Sequence, residues 1–328
     1  MDQSSNTIHP RVRKLAGAVC FLSLVPISVG ALVTTLKAGM AFADWPSSDG
    51  HNMLLYPWFK DIFDNPAKFT EHGHRLAGML IGFLSIGLAA AAWRAEKQRW
   101  IRVYAYSILG AVIGQGLLGG ARVLMDKQVL AMLHSVTGSL FFCLCVGFLV
   151  FTRPSWKSVC STVERRTTIG GLAVILVLPV VVMGQYLLGG ALRHLHTLVD
   201  EHIAGAVVTA LLGIAASWVL LRSDAKILNH SGWLIIASLA FQVMLGLGSY
   251  LLRFGWPPIG YVAVSGSLAQ AVICSSHTVV GMFLLASTFI SAARVYVIIQ
   301  SGGFQNLRFA DRLPKSLAVA PIEPGDRR

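Results

Sequence analysis

Apolar residues fall in eight long runs, roughly 15–36, 71–93, 103–124, 130–152, 167–189, 200–221, 231–252 and 267–291, separated by polar stretches. A helix needs about 20 apolar residues to cross a bilayer's hydrocarbon core, so each run predicts a transmembrane helix. The pattern therefore predicts an all-α polytopic membrane protein with eight transmembrane helices. Two four-helix bundles related by a pseudo-twofold axis are expected, because the first helix of each half starts on the same side. The basic loop 153–166 divides an N-terminal half, 1–166, from a C-terminal half, 167–328.

An internal repeat supports that division. Gly114-Gln115-Gly116-Leu117-Leu118-Gly119-Gly120-Ala121 in the third run returns as Gly184-Gln185-Tyr186-Leu187-Leu188-Gly189-Gly190-Ala191 in the fifth. A shorter copy, Gln242-Val243-Met244-Leu245-Gly246, lies in the seventh. Each copy precedes a helix that carries a histidine, so the chain reads as stacked helix pairs. The longest polar stretch, 37–70, holds Asp44-Trp45-Pro46, His51, Tyr56-Pro57-Trp58 and Phe59, a composition suited to the membrane interface and to covering a site at that face.

Composition agrees with the hydrophobic pattern: 55% of the 328 residues are hydrophobic and only 13% charged. The net charge of +12 does not call for a nucleic-acid partner, because most of the 27 Lys and Arg lie in the tails and alternate loops. Arg11, Arg13 and Lys14, then Arg94, Lys97, Arg99 and Arg102, then Arg153, Lys157, Arg165 and Arg166, then Arg222 and Lys226 share one side with the C-terminal tail. The positive-inside rule places both termini in the cytoplasm. The first run is expected to remain as a span rather than be cleaved, and the short acid-containing N-terminal tail favours a bacterial cytoplasmic membrane, crossed many times. None of the five cysteines forms a zinc-like pair, so they read as small packing residues.

The candidate chemistry rests on His74, His134, His202 and His277, one near the start of each even-numbered span and all toward the outer face. Ligating side chains inside a bilayer are costly and mark function. Imidazoles at matched depth on facing helices ligate a heme iron from both sides, which pairs His74 with His134 and His202 with His277. Gly78, Gly138 and Gly281 follow three of them by one helical turn and would leave room for a flat ring; His202 has Ala206 there, with Gly205 beside it. An interhelical hydrogen bond explains any single histidine, and His196 competes with His202 as a ligand. His9, His51, His194 and His230 fall in tails, loops or turns.

Only the first half carries an acid in register: Glu71 lies three residues before His74, where the other helices have Ala131, Val199 and Cys274. The first half is thus the candidate reaction site, and the second half holds a heme for electron transfer or structure. Arg122, Arg193 and Arg253 close the Gln-bearing helices at the outer end, and Arg75 adjoins His74. Their guanidinium forks suit heme propionates, although lipid headgroups are an equal alternative. Gln115, Gln185 and Gln242 serve either helix packing or a ligand.

Glu71-His72-Gly73-His74-Arg75-Leu76-Ala77-Gly78 resembles the Glu-x-x-His-Arg-x-x-Gly stretch of the heme A synthase family, as do Asp44-Trp45-Pro46 and the Leu-Gly-Gly ends of the third and fifth helices. The resemblance implies a substrate heme in the first half and a heme b in the second. It gives Glu71 as catalytic glutamate, His74 and His134 as substrate-side ligands, and His202 and His277 as heme b ligands. The implied reaction oxidises a ring methyl of heme O to a formyl group, yielding heme A for cytochrome oxidase. It calls for an electron donor that the sequence does not identify, and leaves room for heme O synthase, cytochrome oxidase assembly factors and a second copy of the chain as partners. A diheme membrane electron carrier and a non-catalytic heme-binding assembly protein are the alternatives. The Cys pair that many bacterial members carry around Asp-Trp-Pro is missing from Ala43–Asp49, and the stretch around His202 lacks the His-Arg pattern.

Overall fold

The computed structural model describes residues 8–153, 156, 169–223 and 225–300. Most of the basic loop after Arg153, with Lys157, Cys160, Arg165 and Arg166, and the tail beyond Gln300 lie outside them.

All eight apolar runs are helices, and most extend beyond the apolar stretch into flanking polar residues. The first is α1 (Pro10–Leu22) followed, across a turn at Ser23, by α2 (Leu24–Thr35). A short helix, α3 (Asp61–Asp64), precedes α4 (Pro66–Ala95), α5 (Arg99–Met125) and α6 (Gln128–Phe151). Then come α7 (Ile169–His194), α8 (Val199–Leu221), α9 (Lys226–Phe254) and α10 (Leu268–Gln300). All eight spans are long and apolar enough to cross a membrane.

The extensions have local causes. Helix α4 begins five residues before the apolar run because Asn65 caps it, its side chain accepting from the Lys68 N–H, and Pro66 fits the first turn, where no N–H is needed. Glu71 and His74 consequently lie in the second and third turns, not at the helix start. Helix α7 continues through Arg193 and His194, so His194 belongs to a helix rather than to the expected turn.

Helices α1 and α2 pack on α4, α4 on α5, α5 on α6, and α6 returns to α1 and α2. The second run closes likewise, α7 on α8, α8 on α9, α9 on α10 and α10 on α7; α10 also packs against α2 and α6, and α6 against α7. The interior between these helices is apolar, with Val12, Ile81, Leu88, Ile108, Phe148, Ile175, Leu220, Ile235, Met282 and Ile298 almost fully buried. The outward faces expose Phe21, Phe83, Val180, Leu211 and Leu247. A surface of this kind is stable against hydrocarbon, where the helix satisfies its own backbone groups.

Small residues set the closest approaches. Gly119 lies against His134 of α6, while Gly120 faces the indole of Trp45 from the long loop. In the second copy Gly189 lies against His202 and Gly190 against Met132 and Val136. Each Gly-Gly pair thus serves two neighbours at once. A Cβ on Gly120 would stand 2.3 Å from the Trp45 ring, whereas one on Gly114 meets nothing within 4 Å. Gly120→Ala is expected to cost about 1–3 kcal/mol through overpacking, read as a lower thermal midpoint in detergent than that of Gly114→Ala. Equal midpoints would mean that Trp45 does not seat there.

Candidate functional site

The four histidines converge in two pairs. The His74 and His134 rings have centroids 6.1 Å apart with planes at 90°. His202 and His277 are 6.4 Å apart at 86°. Imidazole nitrogens bind transition metals at about 2 Å, and the ring centre lies about 1 Å behind the nitrogen, so two rings on opposite sides of one metal stand about 6 Å apart. Among the described residues no group of three or more His, Cys, Asp and Glu side chains could hold a metal ion. Two facing imidazoles therefore suit a metal that brings its remaining ligands with it, as a porphyrin iron does.

One backbone device recurs under all four rings. Each packs against a glycine of the preceding span: Gly30 for His74, Gly119 for His134, Gly189 for His202 and Gly246 for His277. Four residues before those glycines stand Pro26, Gln115, Gln185 and Gln242. Nδ1 of His74 donates to the Pro26 carbonyl at 2.9 Å, which leaves Nε2 with its lone pair. Nδ1 of His134 and Nδ1 of His277 are buried and make no hydrogen bond of normal geometry, although the Gln115 and Gln242 backbones interact with these rings. Gln185 Nε2 lies 3.1 Å from His202 Nδ1 and donates to its carbonyl at 2.8 Å; Gln242 Nε2 lies 3.4 Å from His277 Nε2. The glutamines of α7 and α9 thus contact the histidines directly, whereas Gln115 donates to Thr137.

The first pair opens onto a cavity of about 780 Å³ whose wall includes Glu71, His74, Arg75, Gln115, Arg122 and His134. That volume lies within the about 300–1,000 Å³ usual for small-molecule and cofactor sites. The expected free space beside Gly78 is present, with no atom within 4 Å of a built Cβ, and Gly138 is almost as open. The second pair differs. A Cβ on Gly281 would meet Gln242 Nε2 at 3.0 Å and Tyr186 at 3.4 Å, and one on Gly205 would meet Gln185 Oε1 at 2.3 Å. The room expected at those two positions is taken by the neighbouring helix.

Glu71 is held from three directions. Its Oε2 accepts from the main-chain N–H of Ala41 at 2.7 Å and of Phe42 at 3.3 Å, and its Oε1 pairs with Arg75 Nη2 at 2.7 Å. Only 1% of the residue is exposed. Arg75 also donates to the Asp44 and Ser47 carbonyls, so helix α4 and the long loop are fastened together at the acid. The loop has its own supports. Trp58 Nε1 donates to the Phe69 carbonyl, Lys68 pairs with Asp49, and Tyr56 donates to Asp61. Burial and the Asp61 hydrogen bond push the Tyr56 phenol up. Burial works to raise Asp44, but N–H donation from Gly50 and Asp49 and the Ser47 hydroxyl together hold it below the ordinary carboxylate value.

The arginines divide by partner. Arg122 donates to the Gly39 carbonyl at 2.7 Å on the cavity wall. Arg193 joins three helices, donating to Thr35 and the Ala31 carbonyl of α2 and to Thr278 and the Cys274 carbonyl of α10. Arg253 is exposed and contacts His196 Nδ1 at 3.1 Å; His196 therefore faces α9's end while His202 faces His277. Sequence reasoning missed His194, which is buried and lines the cavity of the first half.

The molecule is a multi-pass helical membrane protein with two histidine pairs, one of them beside a cavity with a clamped acid. Residues 62–201 match the COX15-CtaA family model, described as cytochrome oxidase assembly protein. Proteins named heme A synthase from Brucella ovis and Brucella melitensis are 30% identical over 152 residues, covering 45% of this chain and 40% of theirs. The heme A synthase of Brucella anthropi is 28% identical over 152 residues, 45% of this chain and 41% of its own length. The matched stretch spans about 40% of the relatives' own length. No solved structure matches.

Proposed function

We propose that the chain is a heme A synthase of the bacterial cytoplasmic membrane, oxidising a ring methyl of heme O to a formyl group for cytochrome oxidase. Two successive hydroxylations, each a two-electron oxidation that draws its oxidant and oxygen atom from outside the chain, would give a hydrated aldehyde that loses water. The observation that carries the reading is Glu71 on the wall of the cavity that holds the His74–His134 pair, with Ala131, Val199 and Cys274 at the corresponding places of the other three helices.

His74 and His134 would hold the substrate heme O from both faces, and the cavity beside Gly78 and Gly138 receives its ring. Glu71 contributes a carboxylate already fixed by two N–H groups and Arg75, so it needs no reorganisation to stabilise positive charge developing at the methyl carbon or to carry its proton. The loop fastened at Glu71 helps exclude water, with Trp45 and Pro46 on the cavity wall. His202 and His277, facing at about the same spacing as the first pair, would hold a heme b once the Gln185 and Gln242 side chains that fill the space beside Gly205 and Gly281 swing aside. One-electron transfer is the chemistry that heme supplies when bound. The two closed runs of helix contacts support reading the halves, 1–166 and 167–328, as pseudo-twofold mates. The basic loops support placing both termini in the cytoplasm. An unidentified electron donor, heme O synthase, cytochrome oxidase assembly factors and a second copy of the chain belong to the same proposal as partners.

The test is to express the chain with a heme O supply, then extract its non-covalent hemes for chromatography and mass measurement. Heme A or its hydroxylated precursor is expected. Unmodified heme alone, despite available heme O and reductant, would replace the enzyme reading with an electron carrier or a heme-binding assembly protein.

A further inference from the structure

His194 is the last residue of α7, a helix of the second half, yet its side chain lies on the wall of the first-half cavity with His74, His134 and Arg122. It is 9% exposed, and its Nε2 is buried with no hydrogen-bond partner. A buried polar nitrogen left without a partner is unfavourable, so one that lines a cavity points to a group that arrives with the ligand. The way in is visible: Gly190 lets α7 approach Met132 and Val136 on either side of His134, one turn before His194.

The surrounding charge indicates what that group is. Arg122 and Arg193 are the cationic neighbours of His194, and His134 and His196 stand near it. Arg193 is spent on α2 and α10, and Arg75 on Glu71 and the loop. Arg122 remains on the cavity wall, hydrogen-bonded to the Gly39 carbonyl and within electrostatic reach of Glu71 but not paired with it. An imidazole N–H beside a guanidinium is the chemistry of a carboxylate site.

We propose that His194 and Arg122 form a carboxylate subsite of the first-half cavity, with the Nε2–H of His194 donating to a carboxylate of the bound ligand. The proposal rests on reading the cavity as a porphyrin site, in which case the carboxylate is a propionate. His194 is then a positioning residue: it fixes the ring's rotation about the His74–His134 axis, and with it the position of each ring methyl relative to Glu71. It also makes the first-half site dependent on the second half.

The test uses the full-length chain carrying His277→Ala, so that only the first pair is read, titrated with hemin and with hemin dimethyl ester. Adding His194→Ala should weaken hemin binding about tenfold, the size of one charge-assisted hydrogen bond, and leave the ester within about twofold. His194→Gln, which keeps an N–H donor, should recover most of the loss, and all variants should keep the low-spin bis-histidine absorption. Equal weakening of hemin and ester would make His194 structural and overturn the subsite, as would unchanged hemin affinity. Loss of the bis-histidine spectrum on His194→Ala would make it an iron ligand instead. If the His277→Ala chain binds neither porphyrin with that spectrum, the porphyrin reading falls first and the subsite falls with it.

Discussion

Glu71→Gln is expected to keep its heme and lower heme A formation by at least about 100-fold, the lower end of what a positioned acid or base contributes. The fold should survive because the amide oxygen still accepts from the Ala41 N–H, and Arg75 keeps its bonds to the Asp44 and Ser47 carbonyls. What disappears is the negative charge, in a place where water screens little: Glu71 is 1% exposed and the Arg75 side chain 7%. Glu71→Ala is the wrong probe. Both substitutions take the buried counter-charge from Arg75, but Ala also strips the Ala41 and Phe42 N–H groups of their acceptor, at about 1–3 kcal/mol for each orphaned group. Bound heme content and extracted product, measured on the same preparation, decide the matter. Product at the parental level with Gln at 71 would reduce the acid to a pin that holds the loop on α4.

That pin could not be read from the sequence. Glu71 and His74 share a helical face by spacing alone, and their joint presence on the cavity wall follows from it. The N–H groups of Ala41 and Phe42 approach Glu71 from thirty residues away through a loop whose path depends on Trp45 meeting Gly120. The Leu-Gly-Gly repeat was plain as a pattern, and its use was not. Adjacent residues on a helix point about 100° apart, so two glycines in succession open two faces, and only the packed helices say which neighbour fills each. The pairing of histidines was legible because four costly side chains recurred at one depth. Arg193 illustrates the opposite case: an outer-end arginine suits a ligand carboxylate, a lipid headgroup or neighbouring carbonyls equally well, and here the neighbours are Ala31, Thr35, Cys274 and Thr278. His194 was passed over because the apolar run ends before it, whereas the helix does not.

Replacing one histidine at a time should divide the heme content by pair. His74→Ala or His134→Ala is expected to abolish bis-histidine binding in the first half and leave the second heme in place; His202→Ala or His277→Ala should do the reverse. The rings of each pair face each other at 6.1 and 6.4 Å, and each is seated on a glycine of its own preceding span, so neither pair lends a ligand to the other. Within the first pair the two losses should differ in degree. Nδ1 of His74 is anchored on the Pro26 carbonyl, whereas His134 meets the Gln115 backbone without a hydrogen bond of normal geometry. Outer-shell hydrogen bonds of this kind are worth about 10–100-fold in metal affinity. The chain left with His74 alone, in His134→Ala, should therefore retain weak five-coordinate heme more readily than the chain left with His134 alone. Heme-to-protein ratio and the low-spin band of each variant measure this directly. A single replacement that empties both sites would mean that the two hemes bind interdependently, and would break the division into a reaction site and a separate electron-transfer heme.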